Sequence, residues 1–441
     1  MKTSLPSTQR GQALVFIALA AVALVAFAAL AIDGSAVFSD RRHAQNAADT
    51  SALAAALAKT RGNDWEAAAR ARATSNGYTN NGTTIVEVYL CSDSNATCTG
   101  LPTGADKTQY IQVKITSHVK TTFARVIGRT EVINHVDAVA RAVPGYRTTT
   151  FGGRALVALQ DTCSAFTYGG NGTITVTGSG IFVNSKCTNT SNGALNSNSS
   201  VTRVYTPCYN VVGNVTVPTS PTTLIPTGGC QTNTNDPSMF MTNPLATLPH
   251  PNITCDPNNL GSVSSTSTTT TLTSGYYDDR NTGNTFPATN WKSNVVMSPG
   301  IYCIDIGTHT FSLSGGQVIS GSNVLIYMVH GGISWTSGEI HLSAPQGVNA
   351  DYDGLLLYMA PGNCENVSIT GNGGSSFVGT IMAPCSLVKI AGSSSQGNVA
   401  TLENQIIAGT IALSGGADLT INFNSHIQWQ PPIPPELQMT K

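Results

Sequence analysis

Residues 13–32 read ALVFIALAAVALVAFAALAI, and the fate of this stretch decides how the rest of the chain is organised. It carries no charge and is bounded by Arg10 and Asp33; as a helix it spans roughly 30 Å, about one hydrocarbon core. Eleven of its twenty residues are Leu, Val, Ile or Phe, so insertion as a helix is favoured by roughly 3 to 7 kcal/mol before end effects. The competing reading is a cleaved secretory signal, with Lys2 and Arg10 as its basic region and Ala29-Leu30-Ala31 as an A-x-A-like cut site. The run is longer than the usual core of such a signal, and helix-forming sequence continues past it, which favours a retained transmembrane anchor.

Beyond Asp33 the chain is rich in Ala, places Leu53 and Leu57 four apart, and has no Pro between Gly11 and Tyr78. Residues 33–76 therefore read as a helical stem that includes a further helical stretch at Asp64–Thr74 punctuated by Asn76-Gly77, with Gly34 as a hinge at the membrane surface because Gly costs about 1 kcal/mol relative to Ala inside a helix. Residues 1–12 form a short N-terminal segment on the other side. Residues 77–147 read as a small α/β module: strands at 84–90 and 110–119, a short helix at 121–127 and a third strand within 130–143.

The chain has 441 residues with a net charge of −1, and only 10% of them are charged, well below the usual quarter. With no basic run beyond short pairs such as Arg41-Arg42, nucleic acid is excluded as a partner class. All ten cysteines (91, 98, 163, 187, 208, 230, 255, 303, 364 and 385) follow the apolar run, and none forms a CxxC pair. Disulfides outside the cytosol are the expectation, and they place the N-terminus on the cytoplasmic side. Cys91 with Cys98 staples the loop between the first two strands; Cys163 with Cys187 and Cys364 with Cys385 are the next candidates.

After Pro144-Gly145 the composition shifts to Gly, Ser, Thr and Asn alternating with Val, Ile and Leu, which marks residues 148–430 as a β-rich domain. Short β segments recur at 172–185, 214–218, 323–335, 354–362, 366–373, 377–384, 387–394, 406–415 and 418–425. Tyr327-Met328-Val329-His330, Tyr358-Met359-Ala360-Pro361 and Ile381-Met382-Ala383-Pro384 repeat loosely, as expected of a solenoid with unequal insertions. A right-handed parallel β-helix is the architecture favoured, with a β-sandwich as the alternative. Residues 218–257 (Pro- and Cys-rich) and 261–290 (opening on GSVSSTSTTTTLTSG) are expected to loop out, and the Pro-rich tail 431–441 to end regular structure.

The stretch from Arg10-Gly11-Gln12 through the apolar helix to Ala31-Ile32-Asp33, followed by Gln45-Asn46-Ala47-Ala48-Asp49, resembles the N-terminal module of TadG-like Flp (tight-adherence) pilus-assembly proteins. The resemblance covers roughly residues 8–60, about an eighth of the chain. It implies a single-pass component of a pilus or secretion apparatus in a bacterial cell membrane, with protein partners in that assembly and Gly11, Gln12, Asp33, Gln45, Asn46 and Asp49 as the motif. The αββαβ order of the next module is similar to those proteins too. The C-terminal half resembles β-helical domains attached to them and to other envelope proteins, through Pro299-Gly300-Ile301-Tyr302 and the Gly-Thr-Ile steps at 379 and 409. One departure is that type IV prepilins carry Glu five residues after the processing Gly, where this chain has Phe16. A permanent anchor follows from that difference.

Chemistry is sparse. Asp351 and Asp353 in NADYDG read as a turn rather than paired catalytic carboxylates, and Asp278-Asp279-Arg280 as a solvated loop. His309, His330 and His341 read as scattered strand or turn histidines rather than metal ligands. No G-x-S-x-G, H-E-x-x-H or P-loop pattern occurs. No catalytic residue, cofactor or metal is expected. The alternative to a structural role is a surface glycan-binding or glycan-degrading protein, for which Trp335, Tyr327 and Tyr358 are the aromatics to inspect, although inward packing is expected of each.

Overall fold

A computed structural model describes residues 10–283, 285–313, 315–347, 351–371, 375–392, 400–416 and 418–440, with the side chains of Gly11 and Gln12 outside the described set, as are Lys2, Asn349 and Ala350. The chain divides into two compact units, one within Met1–Tyr146 and Ile433–Lys441, the other Arg147–Pro432.

In the first unit, α1 (Arg10–Thr60) is one helix of 51 residues, roughly 75 Å long at 1.5 Å per residue. Its outer part is bare: Leu14, Phe16, Leu24 and Phe27 are each about 70% exposed. It is the one helix among the described residues long and apolar enough to cross a membrane. Its inner part is the reverse. Ala44, Ala47, Ala48, Ala52, Ala55 and Ala56 lie on one face at helical spacing and are essentially buried, because methyl side chains let the helix axis approach the sheet closely. The hinge expected at Gly34 does not form: α1 continues through it, and Ser35 Oγ donates to the Ile32 carbonyl across it at 2.8 Å. The break comes at residues 61–64 instead, where Gly62 adopts a φ of +71° and the Asp64 carboxylate accepts from Ala67 N–H to start α2 (Trp65–Ser75). The stem is therefore two helices, the second over the further helical stretch read at 64–74.

Strands β1 (Thr84–Leu90), β2 (Tyr110–Lys120) and β3 (Glu131–Val143) form an antiparallel sheet. Val86 and Val88, then Ile111, Val113 and Ile115, alternate towards the helices. The short helix between β2 and β3 is a single turn, Ala124–Ile127. The C-terminal tail departs from expectation. Its prolines stop at Pro435, so Glu436–Met439 keeps its N–H groups and adds a fourth strand against β3, Ala140 facing Met439.

The second unit is built from short strands in two large sheets; among the described residues their pairs are parallel apart from Val263–Ser265 against Thr269–Leu272. In one sheet Leu156–Ala158 pairs with Ile181–Val183, which pairs with Tyr209–Val211, which pairs with Asn233–Thr234. From the far end, Gly275–Tyr277, Gly300–Ser312, Val324–Trp335, Leu355–Met359, Thr380–Gly392 and Ile406–Gly415 pair in succession, and the last pairs with Leu156–Ala158. The chain thus enters in the middle of the stack, runs to one end, crosses to the other and returns to close beside its own first strand. Tyr302, Ile326, Leu357, Ile381, Ile406, Leu156 and Ile181 stand in one inward row through that closure, all fully buried. Beside it Phe286, Phe311, Trp335 and Phe377 form an aromatic file with centroids 4.6, 5.3 and 5.8 Å apart.

Three expectations for this unit need correction. Residues 218–257 and 261–290 do not simply loop out: they supply strands Leu224–Pro226, Asn233–Thr234, Thr269–Leu272 and Gly275–Tyr277, and the Thr run pairs because β-branched residues suit a pleated surface. The stretch between them packs across the outer face, where Met241 exchanges backbone bonds with the Asn184 amide, His250 meets the Tyr358 hydroxyl at 2.8 Å, and Cys255 bonds to Cys303. The repeat also slips. Tyr327 aligns with Tyr358, but Tyr358 aligns with Met382 rather than Ile381, since a strand alternates faces and Ile381 takes the inward place.

Candidate functional site at the base of the helical rod

Among the described motif residues, Asp33 and Gln45 fasten α1 to the segments packed against it rather than lining a pocket. Asp33 is 7% exposed, and its carboxylate accepts the backbone N–H groups of Thr122, Phe123 and Ala124 at 2.9, 2.9 and 2.6 Å. It caps the one-turn helix Ala124–Ile127 from another element, since the local N-cap residue, Phe123, has no side-chain acceptor to offer. Two turns along, Asp40 accepts from Ser117 Oγ at 2.5 Å, Asn134 Nδ2 at 2.7 Å and the Tyr78 hydroxyl at 3.1 Å. Burial first, then the Asp40 charge, pushes the Tyr78 hydroxyl well above the ordinary phenol range. Next, the Gln45 amide donates to Asp49 Oδ1 at 2.8 Å and to the Asp137 carbonyl at 3.1 Å. Asn46 lies exposed, its carbonyl taken by Thr50 Oγ1.

Asp40, Tyr78, Ser117 and Asn134 were not singled out from the sequence. The available signal was Asp33 and Asp40 seven residues apart on a face otherwise of alanine, because a carboxylate there needs donors from whatever packs against it.

Residues 11–58 match the family described as "Putative Flp pilus-assembly TadE/G-like". The matched segment takes in most of α1, including the clamps at Asp33, Asp40 and Gln45, and nothing of the second unit. No curated protein matches the chain.

Five disulfides join Cys91 to Cys98, Cys163 to Cys187, Cys208 to Cys230, Cys255 to Cys303 and Cys364 to Cys385, with no cysteine left free. The bonds closing loops 208–230 and 255–303 carry no assignment from the sequence.

Elsewhere the candidate residues remain apart. His330 Nδ1 lies 2.9 Å from Asp305, His341 stands near Glu339 and Ser376 on the other sheet, and no group of three metal-binding side chains occurs among the described residues. Asp351 and Asp353 sit in a turn before Leu355–Met359, the Asp351 carbonyl accepting from Trp429 Nε1. Asp278 is not a loop residue but the N-cap of the short helix Asp279–Thr282, with Arg280 on its carboxylate at 2.7 Å. Trp335 packs inward. Tyr327 and Tyr358 instead face outward, their rings 5.3 Å apart in a satellite apolar cluster with Leu248 and Ile253 of the crossing segment.

Proposed function

We propose that this protein is a membrane-anchored structural component of a Flp/Tad-type pilus assembly or adhesion apparatus, working through protein–protein contacts and not as an enzyme. The observation that carries the reading is the division of α1 within the matched family segment: an apolar run at 13–32 exposed throughout but for the half-buried Ala29, then a buried alanine face clamped by Asp33, Asp40 and Gln45. A helix that needs no protein partner for its outer part and a complete one for its inner part suits a single crossing, with the N-terminus in the cytoplasm and the remaining chain outside. Five disulfides suit that compartment.

The second unit is read as a parallel β-helix, right-handed by preference of the L-peptide chain, offering an uncharged surface to partners. Its support is the succession of short parallel strands stacked over one inward apolar row. The glycan reading has less behind it, because Trp335 is buried and Tyr358 lies beneath the crossing segment, so these aromatics make no open ladder.

The test is deletion and complementation in the native host, scoring sheared surface pili and attachment. Loss of both, restored by the full chain but not by one lacking residues 13–32, supports the proposal. Normal piliation together with binding of the purified protein to a glycan array refutes it.

A further inference from the structure

The turn that Asp33 caps presents an apolar surface with no protein cover. Val126 is 88% exposed, Ile127 78% and Phe123 42%, and they stand with Ala124 across a notch from Val22, Val25, Ala26, Ala29 and Leu30 of the apolar rod. The stretch from Val22 to Leu30 covers about 12 Å of helix, most of one leaflet of a hydrocarbon core roughly 30 Å thick. The turn therefore lies alongside the rod at a depth where lipid, not water, is the neighbour.

Its backbone is prepared for that neighbour. A low-dielectric medium tolerates irregular chain only where N–H and C=O groups are satisfied internally. Here Thr122, Phe123 and Ala124 donate to Asp33; Val126 donates to the Phe123 carbonyl at 3.0 Å, Gly128 to Arg125 at 3.0 Å and Arg129 to Ala124 at 3.0 Å. Thr121 closes the loop through its N–H to Thr130 and its hydroxyl to the Arg129 carbonyl. Gly128, at a φ of +85°, makes the reversal that an L side chain would strain. Arg125 and Arg129 are exposed on the same turn, and among the described residues neither forms an ion pair with an acidic side chain.

We propose that residues 121–130 are a second membrane-contact element: a wedge of Phe123, Val126 and Ile127 that enters the leaflet beside the anchor, with Arg125 and Arg129 on anionic phospholipid headgroups. The inference rests on the anchor reading above, since the surface is continuous with the rod. Asp33, the first polar residue after the apolar run, fixes the wedge at the membrane boundary and so sets how deep and at what tilt α1 sits.

The test uses the full chain, with all five disulfides, in vesicles of phosphatidylcholine and phosphatidylglycerol (3:1) whose acyl chains are brominated near the headgroup. Val126→Trp adds a reporter at an exposed site, Val22→Trp one on the rod, and the unsubstituted protein supplies the background of the native tryptophans. The wedge predicts that bromine removes about half of the added emission at residue 126, and that Asp33→Asn in the same chain reduces this loss at least twofold while quenching at residue 22 persists. Quenching at 126 should rise with the phosphatidylglycerol fraction, and R125Q/R129Q should abolish that rise. If residue 22 is quenched and residue 126 is not, the wedge is overturned and the anchor stands. If neither is quenched, both fall. Emission at 126 that is blue-shifted, untouched by bromine and dependent on protein density would assign the surface to a second copy of the chain and overturn the lipid assignment.

Discussion

Phe311→Ala is the sharpest probe of the second unit's core. Phe311 is fully buried, with its ring 4.6 Å from Phe286 and 5.3 Å from Trp335, both at near-perpendicular angles. Truncating a buried Phe costs about 3–5 kcal/mol through lost transfer energy and the cavity left behind. Phe311→Leu retains most of the volume and loses the edge-to-face pairs, worth about 0.5–1.5 kcal/mol each, so about 1–3 kcal/mol is expected. With a urea slope of about 3 kcal/mol/M, the alanine variant should move the midpoint down by about 1 to 1.7 M and leucine by roughly half as much. Urea unfolding of the full chain in detergent, followed by tryptophan fluorescence, reads this directly, because Trp335 belongs to the file and Trp291 packs on Phe286 with ring centroids 5.3 Å apart. A shift under about 0.3 M for Phe311→Ala would mean that this file is not packed as described.

Ala52→Leu places three extra carbons in the seam between α1 and its sheet and should destabilise the first unit by about 1–3 kcal/mol, measured by hydrogen exchange of β2 and β3. Replacing Cys255 and Cys303 by Ser opens a 48-residue loop and should cost about 2–4 kcal/mol, with new proteolytic cleavage between residues 240 and 255 under native conditions. Alkaline pH should unfold the second unit cooperatively. Burial raises the hydroxyls of Tyr277, Tyr302 and Tyr358 above the ordinary phenol range, so their contribution is complete below about pH 10 and is lost as pH rises towards the folded values. Absorbance at the phenolate band should therefore rise in step with loss of circular dichroism, whereas independent titration near pH 10 would contradict the burial.

Much of this organisation was legible because periodicity is local. The apolar run, the strands at 84–90 and 110–119, and the Cys91–Cys98 staple all declare themselves within a few residues. The clamps at Asp33 and Asp40 depend on donors about 40 to 94 positions away, and no local pattern announces those partners. The Thr run at 268–271 looked like a low-complexity loop because its hydroxyls are polar, while its β-branched geometry and the neighbouring strand Asn294–Met297 make it a rung. The closure of Ile406–Gly415 on Leu156–Ala158 joins segments some 250 residues apart, and a chain entering its own stack in the middle leaves no mark in a repeat that already drifts. The prolines at 431, 432, 434 and 435 mark the tail as the end of regular structure, yet Glu436–Met439 contains none and pairs with β3.

The proposed arrangement is tested most directly by the intact mass of the protein extracted from the membrane fraction without reductant. It predicts a chain that retains residues 13–32 and weighs about 10 Da less than after reduction, five disulfides accounting for ten hydrogens. A mature form lacking roughly the first thirty residues, recovered from the medium, or a mass unchanged by reduction, would contradict it.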